Sequence, residues 1–328
     1  MSTHKGRVRG FFAASFMAAL PAFAADDGTG NDPCPQPDPK ACQVPENAIL
    51  PDLMTVVPKH LGIQNQQQRE ILRFSNGLAN LGEGPWWLAP EFPDPNAAQC
   101  QTALQIFAGA GTFDDLILPT VAAGSCAKGN FDFHETHNHW HIDNIGEFKV
   151  CTQAAFASLG AACPPATTSF GTPSQGIKFT FCLIDWYKLG ENTASSDPTR
   201  NFFDCSGEFQ GITPGWVDQY HHATEGQQID ITGLPVGQYV LVSTVNVSAV
   251  TGEPVFEETD VSNNTSYVRF RLSRDSKGNP KIGDLRGACQ DPDYRAAVEA
   301  AAANFVAVYG GDATRLADDM CGGKTSNR

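Results

Sequence analysis

Beyond its first two dozen residues the chain has no apolar run near the roughly 20 residues that a membrane helix needs, so the sequence offers no membrane span for the mature protein. Basic residues are scarce: 22 Lys and Arg stand against 36 Asp and Glu, a formal charge of −14. A surface of that sign repels nucleic acid and attracts cations, amines among them. None of the cysteines has Cys-x-x-Cys spacing, which removes thioredoxin-like and zinc-knuckle sites. There is no His-Glu-x-x-His segment either, and a zinc peptidase of that type goes with it. Internal repeats are missing, so a solenoid has nothing to stack.

What is present starts with an export signal over residues 1–24. Lys5, Arg7 and Arg9 precede an apolar run from Phe11 to Leu20, and Ala22-Phe23-Ala24 gives a small-x-small cleavage site. When those three basic residues leave with the signal, the formal charge of −14 becomes −17. All ten cysteines follow the signal, and an even count in an exported chain points to disulfides. Their spacing suggests neighbours pairing in order: Cys34 with Cys42, Cys100 with Cys126, Cys151 with Cys163, Cys182 with Cys205, and Cys289 with Cys321. The expected location is therefore secreted or periplasmic.

Residues 25–47 are rich in Asp and Pro without apolar periodicity and read as a linker. The folded body is expected over 48–288. Short apolar or alternating runs recur there at Glu70–Asn76, Gly146–Cys151, Gln175–Ile184, Gln228–Thr232, Tyr239–Val247 and Ser266–Leu272, divided by turn residues. Tyr, Val, Phe and Thr dominate them. This pattern predicts an all-β fold, a β-sandwich-like domain with long loops stapled by disulfides. The tail, 289–328, differs: Tyr294–Tyr309 is Ala-rich, follows Asp291-Pro292 and is bracketed by Cys289 and Cys321, which predicts a short C-terminal helix.

His137, His139 and His141 stand on alternate positions of the run Phe-His-Glu-Thr-His-Asn-His-Trp-His that begins at Phe133. Side chains in a strand alternate faces, so the three imidazoles would project from one side and Asn138 and Trp140 from the other. On a straight strand the outer two would stand about 13 Å apart. Ligands of one ion lie a few ångströms from each other, so the segment must bend. Three imidazoles leave coordination positions open for chemistry, and zinc, copper, iron and manganese all accept such a set.

The stretch from Phe133 to Phe148 resembles the copper-binding segment of lysyl oxidases, with Phe133, His134, His137, His139, Trp140 and His141 matching its aromatic-His-x-x-His-x-His-aromatic-His pattern. Gly176-Ile-Lys-Phe-Thr-Phe-Cys-Leu183 resembles the segment that carries the family's cofactor lysine, and Gln210-Gly-Ile-Thr-Pro-Gly-Trp-Val-Asp-Gln-Tyr220 the one that carries its tyrosine. Gln228 to Leu241 and Glu258 to Asn264 continue the pattern, while Leu72-Arg-Phe-Ser75 and Asn80-Leu-Gly-Glu-Gly-Pro85 resemble bacterial members. The resemblance covers about residues 50–272.

It implies copper on His137, His139 and His141, with His134 outside that set, and a lysine tyrosylquinone made from Lys178 and Tyr220. The implied reaction takes a primary amine, or a lysine-containing protein, and dioxygen to an aldehyde, ammonia and hydrogen peroxide. Lys178 must then be a neutral amine, which burial or a nearby cation would favour. Asp218, His221, His222 and His134 are the candidate bases. Vertebrate members carry a further histidine downstream of the copper motif, whereas here two extra residues intervene and the matching place falls near Val150. Thr136 stands where vertebrate members have a cysteine, which makes Cys182 the natural partner of Cys205.

Two other readings compete. A cupin also holds metal by histidines in a β-sandwich, and His139-x-His141 with Glu147 resembles its first motif. The histidine-to-glutamate gap is too long, and Pro235-Val-Gly237 lacks the second motif's histidine. A non-catalytic secreted copper-binding module would keep the histidines without the quinone. Its retention of Lys178 and Tyr220 speaks against that reading.

Overall fold

The computed structural model describes residues 44–90, 100–109, 112–117, 127–134, 139–143, 146–176, 182–190, 200–205, 209–224, 226–248 and 252–322. First come β1 (Ala48–Ile49), β2 (Leu53–Gln66), β3 (Arg69–Asn80), β4 (Trp86–Pro90), β5 (Cys100–Gly109) and β6 (Thr112–Ile117). Next, β7 (Ala127–His134), β8 (His139–Asp143) and β9 (Gly146–Thr152) lead into a short helix α1 (Gln153–Leu159). Then follow β10 (Gln175–Gly176), β11 (Tyr187–Lys188), β12 (Gln210–Ile212), β13 (Trp216–Tyr220) and β14 (Gln228–Asp230). Last are β15 (Gly237–Val245), β16 (Thr265–Arg274), β17 (Pro280–Gly287) and two helices, α2 (Pro292–Tyr309) and α3 (Ala313–Met320).

These strands make three antiparallel sheets. One runs β12-β4-β5-β7-β8, with β1 and β6 also on β5; the second runs β10-β9-β15-β16-β17; the third runs β11-β13-β3-β14, with β2 also on β3. The all-β expectation is met. The main apolar cluster among the described residues draws on all three sheets, with Leu72 and Phe74 from β3, Trp86 and Leu88 from β4, Phe131 from β7, Phe148 and Val150 from β9. Phe74 meets Phe148 edge to face at 4.8 Å between ring centres. Each such buried ring contributes about 2–3 kcal/mol of apolar transfer.

The strand at the start is long but irregular. Pro58 and Gly62 interrupt β2, and its register against β3 shifts between Val56 and Lys59 and again between Lys59 and Gly62. His60 sits in that bulge at φ 53. Leu53 faces the main core, whereas Met54 and Val56 face the opposite way onto a second cluster with the C-terminal helices.

The sequence does not predict α3, a second helix, whereas α2 forms where it predicts one, starting two residues earlier, at Pro292. Asp291 caps it by accepting from the Asp293 amide. Its buried stripe, Val298, Ala301, Ala302 and Phe305, has helical spacing. Three of the expected disulfides are present: Cys151–Cys163, Cys182–Cys205 and Cys289–Cys321. Cys34, Cys42 and Cys126 lie outside the described residues, so the other two expected pairs do too. The expected strand Gln175–Ile184 is corrected in part: residues 177–181 lie outside the described residues, and Cys182 to Trp186 form no strand.

Candidate active site

β8 brings two of the three alternate histidines to one place. Trp140 and Ile142 point into the main core, and the period-two alternation leaves His139 and His141 on the other face. Their Nε2 atoms lie 2.9 Å apart, with ring centres at 4.8 Å. Nitrogens bound at 2.0–2.1 Å to one ion and set at right angles are about 2.9 Å apart. The pair therefore fits two adjacent ligands of a transition metal. His137 lies outside the described residues. Among the described residues no three of His, Cys, Asp and Glu are set to hold a metal. His134 stands directly across from His139 in the β7–β8 register.

Tyr220 ends β13, which is entered through a tight turn. The Trp216 amide donates to the Thr213 carbonyl at 3.0 Å, with Pro214 and Gly215 between them and Gly215 at φ 78. That is the geometry Pro-Gly favours. A Cβ on Gly215 would also come within 2.6 Å of the Phe305 ring. From the turn, β13 runs antiparallel to β3, with Val217 against the helices and Asp218 and Tyr220 on the other face.

The Tyr220 Oη lies 2.6 Å from the Cys182 carbonyl oxygen and 2.7 Å from Asp218 Oδ2. Asp218 is 2% exposed. Burial drives its carboxyl well above the usual carboxylate range, against a pull down from the Tyr220 hydroxyl and the Ile184 amide. Burial likewise raises the phenol, and the Asp218 charge adds to it. Lys178, four residues before Cys182, lies outside the described residues.

Two residues that sequence reasoning did not single out tie these parts together. Gln210, on β12 and buried, donates from Nε2 to the Trp140 carbonyl at 2.5 Å and accepts from the Leu183 amide at 3.1 Å. The histidine strand and the tyrosine thus both anchor on the pair Cys182–Leu183. Asp185, fully buried, accepts from the amides of Asn201, Phe202 and Thr213 and from the Thr213 hydroxyl. Burial raises its carboxyl, and these four donors oppose the rise. Gln210 opens the tyrosine motif and was the one signal available; nothing local marks Asp185.

Of the candidate bases, Asp218 touches the Tyr220 hydroxyl. His221 and His222 instead cluster with His60, with ring centres 3.9–6.1 Å apart. Ser75 Oγ accepts from the His222 amide at 2.9 Å and is hydrogen-bonded to His60 Nδ1 at 3.0 Å. Burial lowers both His60 and His222 from the usual histidine value.

This arrangement of two converging imidazoles and a tyrosine hydroxyl anchored beside the lysine segment lies within a stretch, residues 121–275, that matches the family model described as Lysyl oxidase. Residues 121–275 are similar to the lysyl oxidase family. Protein-lysine 6-oxidase of Sus scrofa is 29% identical over 145 residues, which is 44% of this chain and 48% of that protein. Lysyl oxidase homolog 2 of Rattus norvegicus is 32% identical over 144 residues, 42% of this chain and 15% of that protein. Lysyl oxidase homolog 3 of Homo sapiens is 29% identical over 142 residues, 43% of this chain and 16% of that protein. The match thus spans less than half the length of these curated relatives. The lysyl oxidase stretch contains β8, β12 and β13, but the strand that pairs with β13, β3, precedes it.

Proposed function

We propose that this chain is an exported copper amine oxidase of the lysyl oxidase type. In this reading His137, His139 and His141 hold the copper, and Lys178 and Tyr220 are joined into a lysine tyrosylquinone. The observation that carries it is the shared anchor: the Tyr220 hydroxyl on the Cys182 carbonyl, and the histidine strand on the Leu183 amide through Gln210. That anchor begins four residues after Lys178. The Nε2 separation of His139 and His141 supports a metal.

When formed, the quinone group supplies a two-electron sink for a primary amine, giving an aldehyde and ammonia, with dioxygen consumed and hydrogen peroxide released. The chain's own residues bind and orient. Gln210 fixes the backbone between the two imidazoles, Asp185 and the Cys182–Cys205 disulfide hold the segment after Lys178, and Asp218 faces the tyrosine hydroxyl. The three disulfides support an oxidising compartment. An acidic surface favours cationic amines, peptidyl lysine included, over neutral substrates.

Peptide mass mapping of copper-loaded protein tests this directly. We expect the peptides containing Lys178 and Tyr220 to be recovered as one cross-linked species. Tyr220→Phe should keep its copper and lose amine-dependent peroxide release. Both peptides recovered unmodified from an active preparation would overturn the assignment of the cofactor. Copper without a quinone band or turnover would favour a binding module. A peroxide assay across small primary amines and lysine-containing proteins then identifies the substrate class.

A further inference from the structure

The Tyr220 hydroxyl presents a counting problem. It has one hydrogen, yet two oxygens lie within hydrogen-bond distance, the Cys182 carbonyl at 2.6 Å and Asp218 Oδ2 at 2.7 Å. A carbonyl brings no hydrogen. Both contacts are hydrogen bonds at once only when Asp218 brings one, donating its carboxyl O–H to Oη while Oη–H donates to Cys182. Both groups are shifted upward by burial, which fits a resting pair that is neutral.

We propose that Asp218 is the proton acceptor for the Tyr220 hydroxyl while that ring is converted to the cofactor. This rests on the reading of Tyr220 as the cofactor precursor. Loss of one proton from the neutral pair to solvent water leaves an Asp218 carboxylate that accepts from the phenol. Shifting the remaining hydrogen across the 2.7 Å contact breaks the Oη–H bond and forms the carboxyl O–H bond. The product is a phenolate hydrogen-bonded to a carboxylic acid, with the same single negative charge. Phenolate is the electron-rich form from which an aromatic ring loses electrons. Asp218 makes it reachable without a second buried charge. The pair titrates as a unit. Among the described residues, the other charged group acting on Asp218 is Asp185, which further opposes its ionisation.

The alternative is a carboxylate that only repels the phenolate, and the two roles predict opposite signs. Copper is loaded into the protein without oxygen, air is admitted, and cross-linked peptide and visible absorbance are followed over time. Asp218→Asn keeps the shape and offers Oη a hydrogen but accepts no proton. We expect it to bind copper as the wild type does and to form the cross-link about 100-fold more slowly or worse. Its rate should also shift to higher pH, toward ionisation of the phenol by itself. A rate equal to or faster than wild type overturns the proposal, because removing a merely repulsive charge would ease phenol ionisation. Should the variant fail to fold, the wild-type profile still decides. Cross-linking must rise with pH through one ionisation of the pair, and a rate that rises nowhere over the whole pH range in which the protein stays folded overturns it. Failure of the wild type to cross-link at all would instead remove the reading of Tyr220 as precursor.

Discussion

The buried carboxylates show how far single residues can be read. The alternate histidines were legible as candidates from their spacing, and Tyr220 only from the motif that resembles lysyl oxidases. Glu258 was not, since its partners are remote: the Leu53 amide 205 residues away, and the side chains of Asn246 and Asn264. Burial raises its carboxyl from 4.5 to about 7, and those three donors hold the rise back. The folded state therefore keeps this proton more tightly than the unfolded chain. Stability from this group is greatest below pH 4.5 and falls as pH rises to about 7, by about 3 kcal/mol over that window. Urea unfolding of wild type and Glu258→Gln across the same window isolates the effect from Asp52, Asp185 and Asp218, which are shifted the same way. The glutamine cannot titrate, so its curve should lack this decline. Because its amide would face the Leu53 N–H, its stability in acid should be lower than wild type.

At the scale of elements, alternation found the strands that keep one face in the core, among them β9, β14, β15 and β16. It missed β2 because Pro58 and Gly62 read as breakers, and the chain absorbs them in two register shifts rather than by ending the strand. It overextended the run from Gln175, for a different reason. Cys182, Leu183 and Ile184 are apolar enough for a strand, but the Cys182 carbonyl and the Leu183 and Ile184 amides bond to the side chains of Tyr220, Gln210 and Asp218, while the Leu183 carbonyl takes a backbone partner, the Gly211 amide. Side chains replace a ladder there, and no periodicity reports that. The consequence is testable at Gln210. Its replacement by Ala removes the donor to the Trp140 carbonyl and the acceptor of the Leu183 amide, two buried bonds at about 1–3 kcal/mol each. We expect Gln210→Ala to lose about 2–4 kcal/mol in urea unfolding. Copper affinity should fall about tenfold or more, as for other residues that hold a ligand's support. Unchanged copper affinity in a folded variant would separate the histidine strand from this anchor.

For the whole molecule, the stretch that marks the family is not the unit that folds. Residues 121–275 match the lysyl oxidase family model, yet β13 and β14 both pair with β3, at Arg69–Asn80, and β2 lies along its other side. Without β3, the strand that carries Asp218 and Tyr220 loses its ladder from Asn76 to Ala79. The core loses Leu72, Phe74, Trp86 and Leu88 with it, and the removal of one such side chain alone costs about 2–5 kcal/mol. That exceeds what a domain of this size has to spare. The C-terminal helices add a second dependence. They cover Met54, Val56, Ala79 and Val217, and Phe305 sits against the Gly215 turn that aims β13. A fragment of residues 121–275 expressed alone should therefore show no cooperative unfolding transition, whereas residues 44–322 should show a single one. Near-ultraviolet circular dichroism against urea reads both. A cooperative transition in the short fragment would mean that the site is built without β3, and would transfer the positioning of Tyr220 to the turn and the Cys182 contact alone.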